Sequence, residues 1–203
     1  MTLFIIGITT AISIIAFSRR DWFEKLLFNP YRTYHCKEWH RLLTHGALHV
    51  DWMHLIVNML VLLSFGPHVE KYFVLMSETT WLKSPSSGYL FFYLSALVVS
   101  SLGTLRKHRD HEWYNSAGAS GAVSAVLFCS IFFEPRNTLL LMGIIPIKAY
   151  VFGPLYLIYS YYSARRESGN VNHDAHWAGA IFGFCFPLLI DVGMIRWLTG
   201  QFH

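Results

Sequence analysis

The chain has 203 residues, of which 54% are hydrophobic and only 14% are charged, and its net charge is +4. Soluble domains carry about 25% charged residues, so this composition excludes an ordinary soluble domain and is typical of a membrane protein. The basic balance does not indicate nucleic-acid binding, because the Lys and Arg residues flank apolar runs, where they meet lipid headgroups. We therefore expect the lipid bilayer as a partner, and no nucleic acid.

Six apolar runs predict six transmembrane helices in one all-α polytopic membrane domain that covers residues 1–203. A span needs about 20 mostly apolar residues. In chain order, the predicted helices are 3–17, 52–69, 87–105, 120–133, 139–162 and 175–197. The first run lacks the basic start and the small-residue cleavage site of a secretory signal, so we expect it to be a retained helix.

Two stretches depart from this regular pattern. The connection from Trp22 to Arg41 is long for a loop between packed helices, which predicts a structure or function of its own. Its aromatic and basic residues suit a membrane interface. Pro146 and Gly153-Pro154 predict a break in the fifth helix, and we expect Lys148 to snorkel or to face a polar cavity.

The sequence does not favour cofactor chemistry. Cys36, Cys129 and Cys185 are widely spaced, so they predict neither a disulfide framework nor a cysteine metal site. The histidines near the second and sixth helices could bind a metal or haem, but few carboxylates accompany them. We expect no cofactor and no bound metal, and a histidine-ligated metal or haem protein stays a third alternative.

Polar side chains at the starts of helices two, four and six are predicted to meet at one membrane surface. Consecutive helices alternate in direction, so the starts of the even-numbered helices lie on the same side. These starts carry His54 with Asn58, then Ser120, then His176. Polar groups at membrane depth are costly and indicate a functional site. Each of these residues alone also fits an interhelical hydrogen bond or a helix cap, but their convergence at one membrane surface favours a functional site.

Ser120 begins helix four, directly after Gly118-Ala119. The first backbone N–H groups of a helix have no intrahelical acceptor, and this terminus favours negative charge. A serine at this position can therefore act as a nucleophile with an oxyanion donor beside it. A small-residue packing face is the alternative.

Gly179 and Gly183 form a G-x-x-x-G face on helix six, which lets another helix approach closely. Helix four offers matching small residues, including Gly121. Such an approach would bring a nitrogen of His176 within hydrogen-bond reach of the Ser120 hydroxyl. Ordinary helix packing with a capping histidine is the alternative here.

Together these motifs resemble those of the rhomboid family of intramembrane serine proteases, in their bacterial form with a six-helix core. The resemblance covers all six predicted helices in order. The matching segments are Glu38-Trp39-His40-Arg41-Leu42-Leu43-Thr44, His49-x4-His54-x3-Asn58, Gly118-Ala119-Ser120-Gly121 and Ala175-His176-x2-Gly179-x3-Gly183.

The resemblance implies a Ser–His dyad that requires no aspartate. Ser120 would attack the scissile carbonyl, and His176 would serve first as general base and then as general acid. The backbone N–H of Ser120, together with His54 and Asn58, would hold the oxyanion. His49 would be a supporting hydrogen-bonding residue near the site.

One position departs from the family pattern. Many relatives carry an aromatic residue four positions after the nucleophile, stacked on the catalytic histidine, and here that residue is Ser124. The orientation of His176 must then come from elsewhere, with Trp177, Tyr114 or a hydrogen bond from Ser124 as candidates. Asp174 is expected to point to another helix face and not to act as a triad acid.

The resemblance therefore implies an intramembrane serine endopeptidase that cleaves transmembrane segments of membrane-protein substrates. Helix five would act as the lateral gate, and the loop Ser163–Val171 would act as the cap. The alternative is a catalytically silent rhomboid-fold protein that binds membrane clients. The sequence leaves the oligomeric state and the physiological substrate open.

Charge and family topology disagree about the orientation in the membrane. The loops on the predicted active-site face carry more Lys and Arg, and the positive-inside rule puts such loops in the cytoplasm. Bacterial six-helix relatives direct this face outward. We follow the family arrangement and expect an integral multi-pass protein of the bacterial cytoplasmic (inner) membrane.

Overall fold

The computed structural model describes residues 1–141, 144–166 and 172–201. Helices make up most of this part of the chain, and a short 3₁₀ turn, His45–Ala47, follows the fourth of them. The elements are α1 (Thr2–Ser18), α2 (Arg20–Leu26), α3 (Pro30–His35), α4 (Arg41–Thr44), α5 (Trp52–Thr79), α6 (Pro85–His108), α7 (Ser120–Phe133), β1 (Thr138–Leu141), β2 (Ile145–Lys148), α8 (Ala149–Arg166), α9 (His173–Ile190) and α10 (Met194–Gly200).

Several of these helices have the length and composition of membrane spans. Among the described residues, α5 and α6 are long and apolar enough to cross a membrane, and α9 with α10 counts as a third span only if the two helices, bent by 117° at their break, are taken as one. Helices α1 and α7 are apolar but shorter, with 17 and 14 residues. The protein is thus a mostly helical integral membrane protein, and the six-span count stays a prediction.

The predicted fifth helix, 139–162, is wrong in its first part, where the structure has two short strands. The fold is therefore mostly helical and not all-α. Residues on both sides of 142–143 pair as an antiparallel hairpin in which Leu140 faces Pro146, and α8 begins only at Ala149. Proline lacks the N–H that a helix interior needs, and a short apolar run fits a strand as well as a helix. Lys148 ends β2, where its Nζ donates to Thr138 Oγ1 at 2.9 Å.

The predicted break at Gly153-Pro154 is also wrong, because α8 continues through Pro154. Membrane helices tolerate proline where neighbouring helices and local adjustment accommodate the freed backbone groups. Here α8 packs against α9 and α7. Of the predicted cap Ser163–Val171, residues 167–171 lie outside the described residues.

The predicted sixth helix, 175–197, ends earlier than expected. Helix α9 stops at Ile190, and the Asp191 carboxylate accepts a hydrogen bond from Gly193 N at 2.8 Å in the turn that follows. The chain then bends into α10, whose Trp197 Nε1 donates to Phe133 O at 3.2 Å. The Phe133 carbonyl is at the C-terminal end of α7, where its own helix offers no N–H donor, so this bond satisfies it.

Helix α7 lies at the centre of the protein. Every residue from Gly121 to Phe133 is buried, as expected for a helix that is apolar all round. Helices α5, α6 and α9 pack around it. On α9, Gly179 lies against the backbone of Gly121, and one turn later Gly183 lies against the backbone of Ala125. A side chain at either glycine would collide with main-chain atoms, so small residues set this helix separation.

The connection between α1 and α5 is folded, and its short helices surround a buried cation. Arg41 is 2% exposed; its guanidinium donates to Leu27 O at 2.6 Å and Glu24 O at 3.0 Å and pairs with Glu38. Nearby, Phe28 and Ser116 exchange two backbone hydrogen bonds of 2.9 Å. The connection therefore supports the loop that leads into α7.

We predict that Gly183→Ala destabilises the protein by about 1–3 kcal/mol, the usual cost of overpacking a core. The added methyl group would meet the carbonyl of Ala125, which backbone geometry holds in place. The matched control is Gly103→Ala in α6, where a Cβ meets nothing within 4 Å. Denaturant titration in detergent measures both changes, and equal stabilities of the two variants would contradict the packing argument.

Candidate active site

A cavity of about 370 Å³ opens among α5, α6, α7 and the start of α9. Of the nine site residues that the sequence predicts, five line it and four lie outside its wall. The lining residues are His45, Val50, Asp51, Met53, His54, Val57, Ser100, Ser116, Ala117, Gly118, Ser120, Gly121, Asn172, Ala175 and His176. The cavity thus carries three serine hydroxyls and several imidazole groups beside apolar side chains.

Ser120 is the first residue of α7 and is half-buried at the cavity wall. Its own N–H and those of the next residues lie at a helix N-terminus, where they have no intrahelical acceptor. The same terminus carries a partial positive charge. An anionic oxygen near Ser120 would therefore meet free donors and a favourable field.

His176 lies on the first turns of α9, on the same cavity as Ser120. The tight contact of Gly179 with α7 holds this part of α9 close to the start of α7. Within the described residues, no hydrogen bond joins the Ser120 hydroxyl to His176. Catalytic hydrogen bonds are often long in ligand-free enzymes and shorten once substrate is bound. Ser120 and His176 therefore line the same cavity without a hydrogen bond between them in the described structure.

His54 borders the cavity from α5 and depends on a glycine opposite it. Gly118 has φ +134°, and a Cβ there would lie 2.6 Å from His54 Cε1 and 2.9 Å from His54 Nε2. Only glycine adopts this backbone conformation at low cost. Gly118 is therefore required both by its backbone angle and by the close approach of the imidazole ring.

Asn58 and His54 occupy the same face of α5, one turn apart, but Asn58 lies outside the cavity wall. Its side chain is buried, and its Nδ2 donates to His54 O at 2.8 Å. This bond uses one of the two amide hydrogens, and the second stays available. His54 Nδ1 is shielded from solvent and lacks a hydrogen-bond partner in the described part of the chain.

His49 lies behind His54 and supports it. It is fully buried, and its ring meets that of His54 edge-on at 4.9 Å between centroids. Ser13 Oγ donates to Ala47 O at 2.9 Å, so the same oxygen accepts from His49 Nδ1 at 3.0 Å. This arrangement fixes the tautomer of His49 with the proton on Nδ1.

All three residues predicted to orient His176 have other partners. Tyr114 stacks on His108 at 3.8 Å between centroids, and Ser124 Oγ lies 2.8 Å from Tyr156 Oη. Trp177 pairs with Tyr161 at 6.3 Å. Among the described residues, no side-chain contact with His176 supports the prediction that one of these three residues orients it.

Asp174 lies within 3.5 Å of Lys107 Nζ, on α6. Its carboxylate makes no hydrogen bond to His176 in the described structure. In residues 1–141, 144–166 and 172–201, no group of three or more His, Cys, Asp or Glu side chains is arranged to hold a metal ion.

Sequence reasoning missed Asn172, which caps α9, and considered His173, the first residue of α9, only as a possible metal or haem ligand. Asn172 Oδ1 accepts from Ala175 N and from Thr104 Oγ1, both at 3.1 Å, and so caps α9 and ties it to α6. His173 lies edge-on to His176 at 5.7 Å between ring centroids. The signals were a capping residue three positions before Ala175 and the three-residue spacing of two histidines on one helix face.

Comparison with known proteins assigns the family. The model of the Rhomboid domain matches residues 36–191, which include every residue of the candidate site. The chain belongs to the rhomboid family.

Two curated relatives of this rhomboid chain extend the comparison. The RHOMBOID-like protein 12, mitochondrial, of Arabidopsis thaliana is 30% identical over 145 residues, which is 70% of this chain and 43% of the relative. The Rhomboid protease GluP of Bacillus subtilis (strain 168) is 29% identical over 147 residues, 72% of this chain and 25% of the relative. The aligned part is thus less than half the length of either relative.

We predict that acid destabilises the fold through His45 and His49, which lie outside the candidate spans. Burial lowers the pKa of His45 to about 4 and that of His49 to about 3, from a usual value of 6.5. A histidine whose pKa is lowered by folding stays neutral in the folded state while the unfolded chain gains a proton. The protein therefore loses stability as the pH falls from 6.5 toward the folded pKa. The thermal midpoint should therefore drop between pH 6.5 and pH 4.

The variant His49→Gln should reduce this pH dependence, because an amide gains no proton over that range. His40→Gln, at an exposed position of the first connection, is the control and should keep the full dependence. Thermal unfolding in detergent at pH 7 and pH 4 measures each variant. An unchanged slope in His49→Gln would rule His49 out as an acid-sensitive group.

Proposed function

We propose that this protein is an intramembrane serine endopeptidase that cleaves transmembrane segments of membrane proteins with a Ser120–His176 dyad. The observation that carries the proposal is the shared cavity: a serine at a helix N-terminus, a histidine on a tightly packed neighbouring helix and His54 all line it. Rhomboid family membership supports the same chemistry.

In the first step, His176 accepts the Ser120 hydroxyl proton as Ser120 Oγ attacks the scissile carbonyl carbon. The carbonyl π electrons move to oxygen, and a tetrahedral oxyanion forms. The Ser120 backbone N–H and a ring N–H of His54, both at the cavity, would donate to this oxyanion, and the Asn58 amide hydrogen that is not bonded to His54 O would be a third donor. Each such donor contributes about 10²–10³ in rate in serine hydrolases.

In the second step, the tetrahedral intermediate collapses and the C–N bond breaks. His176 returns its proton to the leaving amine, and an acyl-enzyme on Ser120 remains. A water molecule then attacks the acyl carbon while His176 takes its proton, the bond between the acyl carbon and Ser120 Oγ breaks, and His176 returns the proton to Ser120 Oγ as the carboxyl product leaves. His54 and Asn58 serve both steps because the oxyanion forms twice in one place.

A substrate held in the bilayer must reach the cavity from the side and must unwind locally, because a folded helix hides its carbonyls. We propose α8 as the moving gate. It contacts α7 through the hydrogen bond between Ser124 and Tyr156 and through Phe128, so its attachment to the nucleophile helix is limited. Small, helix-destabilising residues near the scissile bond would make unwinding easier.

A catalytically silent member that binds membrane clients is the second candidate function. The lack of a hydrogen bond between Ser120 and His176 among the described residues favours it. The two candidates differ in whether Ser120 reacts with an electrophile, since a silent protein has no need of an activated hydroxyl.

We predict that Ser120→Ala lowers cleavage of a transmembrane reporter in proteoliposomes by at least about 1,000-fold, since loss of a serine nucleophile is among the largest effects in hydrolases. His176→Ala should lose a similar factor. A fluorophosphonate probe should label the wild type and neither variant. Ser130→Ala, a buried serine near the other end of α7, is the matched control and should keep activity and labelling.

Cleavage by Ser120→Ala at the wild-type rate would refute the protease proposal. Absence of both probe labelling and cleavage in the folded wild type would favour the silent, client-binding alternative.

We also propose that the cavity faces away from the cytoplasm in a bacterial inner membrane. Arg41, one of the basic residues on this face, is buried in an ion pair and so weighs less as a free charge. Cys36 provides the test, because its thiol is exposed on the same side of the protein. A membrane-impermeant maleimide added outside intact cells or spheroplasts should label it, and Cys36→Ser should remove that label. Labelling only after the membrane is opened would reverse the orientation.

A further inference from the structure

The base of a Ser–His dyad needs a fixed ring orientation, and no carboxylate bonds to His176 in the described structure. A catalytic group must be held within about 0.5 Å and 10–20° of its productive geometry by side chains that are themselves locked. The side chain that contacts the His176 ring is another imidazole. His173 lies one turn earlier on α9, with ring centroids 5.7 Å apart and planes at 79°.

A second ring holds His173 from a different helix. Tyr159 of α8 meets His173 edge-on, at 5.6 Å between centroids and 87° between planes. Both contacts fall within the 4.5–7 Å range in which perpendicular ring pairs are favourable. Neighbours three positions apart touch on any helix, so the pair on α9 alone would mean little. The contact from α8 extends the pair to a chain of three rings in edge-on contact that ends on His176.

Hydrogen bonding through Nδ1 does not explain the position of His173. Its Nδ1 is shielded from solvent and has no hydrogen-bond partner among the described residues. The ring thus contributes shape and contact area. We therefore infer that His173 is a positioning residue that orients the His176 imidazole, with Tyr159 holding His173 in place from α8. This inference rests on the proposed function, since it assigns His176 the role of the base.

The arrangement links the gate to the chemistry. Tyr159 belongs to α8, the helix that we propose to move when a substrate enters. When α8 lies against α9, Tyr159 presses His173 toward His176, and when α8 moves away this support is lost. A productive base orientation therefore requires that α8 returns after the substrate has entered.

The test compares ring-removing and ring-keeping substitutions at both positions. His173→Ala and Tyr159→Leu should lower kcat for the reporter by about 10- to 100-fold, the scale expected when a reacting group is misplaced by about 1 Å. KM should stay within twofold of the wild type. His173→Phe and Tyr159→Phe retain the rings and should keep kcat within about threefold.

Rates are expressed per active site titrated to completion with a fluorophosphonate, so that a loss of folded protein does not count as a loss of kcat. Tyr162→Leu is the matched control, because Tyr162 is as exposed as Tyr159 (61% against 62%) but its ring meets Tyr161 instead of His173, and this variant should behave as the wild type. Thermal midpoints of all variants identify any that fail to fold, and the Tyr159 pair then carries the comparison if His173→Ala is among them.

Two results would overturn the inference. One is a wild-type kcat in both His173→Ala and Tyr159→Leu, and the other is a His173→Phe variant as slow as His173→Ala. Either result, with Ser120→Ala inactive, leaves the protease proposal intact and removes only the role of His173. An active Ser120→Ala variant would instead show that the protease proposal itself has failed.

Discussion

The close approach of α9 to α7 is the constraint on which the rest of the structure depends. Gly179 and Gly183 lie directly on the backbone of Gly121 and Ala125. Lipid tails are as apolar as the helices, so burial of apolar surface does not drive this contact, and van der Waals packing at short range stabilises it instead. The same contact brings the first turn of α7 and the first turns of α9 to one cavity. Packing and site geometry therefore have a common cause.

Polar groups concentrate at the end of the protein where this cavity opens. Asn172 joins the start of α9 to α6, and the backbone of Ser116 pairs with Phe28 in the first connection. Arg41 has carbonyl and carboxylate partners although it is buried. A polar group without a partner costs several kcal/mol in an apolar environment, so these bonds allow irregular backbone to surround the site.

The site combines groups with separate structural reasons for their positions. Ser120 owes its position to a helix start, and His54 owes its position to a glycine with positive φ opposite its ring. His49 is held by Ser13, and its buried ring supports His54 in turn. The ring that meets His176 is that of His173, which Tyr159 of α8 meets in turn. The arrangement thus depends on many contacts outside the cavity itself.

The polar convergence at the cavity was accessible from the residues alone. Helices that alternate in direction bring their even-numbered starts to one surface, and polar residues in apolar runs stand out in a sequence. The hairpin was missed because Leu and Ile over four to eight residues fit a strand and a helix equally well. The bend after Ile190 was missed for a similar reason, since the apolar run continues into α10 past Asp191.

His173 shows a different limit of sequence reasoning. The sequence groups it only with the histidines that could bind a metal or haem. Its contact with Tyr159, fourteen positions earlier and on another helix, exists only in the folded chain. Ser124 is the converse case, because the residue predicted to bond toward the site bonds instead to Tyr156.

Composition and residue spacing alone identify a helical membrane protein, the side chains that are polar at membrane depth, and the glycines that permit a close helix contact. These properties depend on composition and on the spacing of residues along one helix, which are local. The folded chain was needed to establish where helices end, which residues touch His176, and that no hydrogen bond joins the Ser120 hydroxyl to His176 among the described residues. Those properties depend on the distance and rotation between helices, which side chains far apart in the chain determine together.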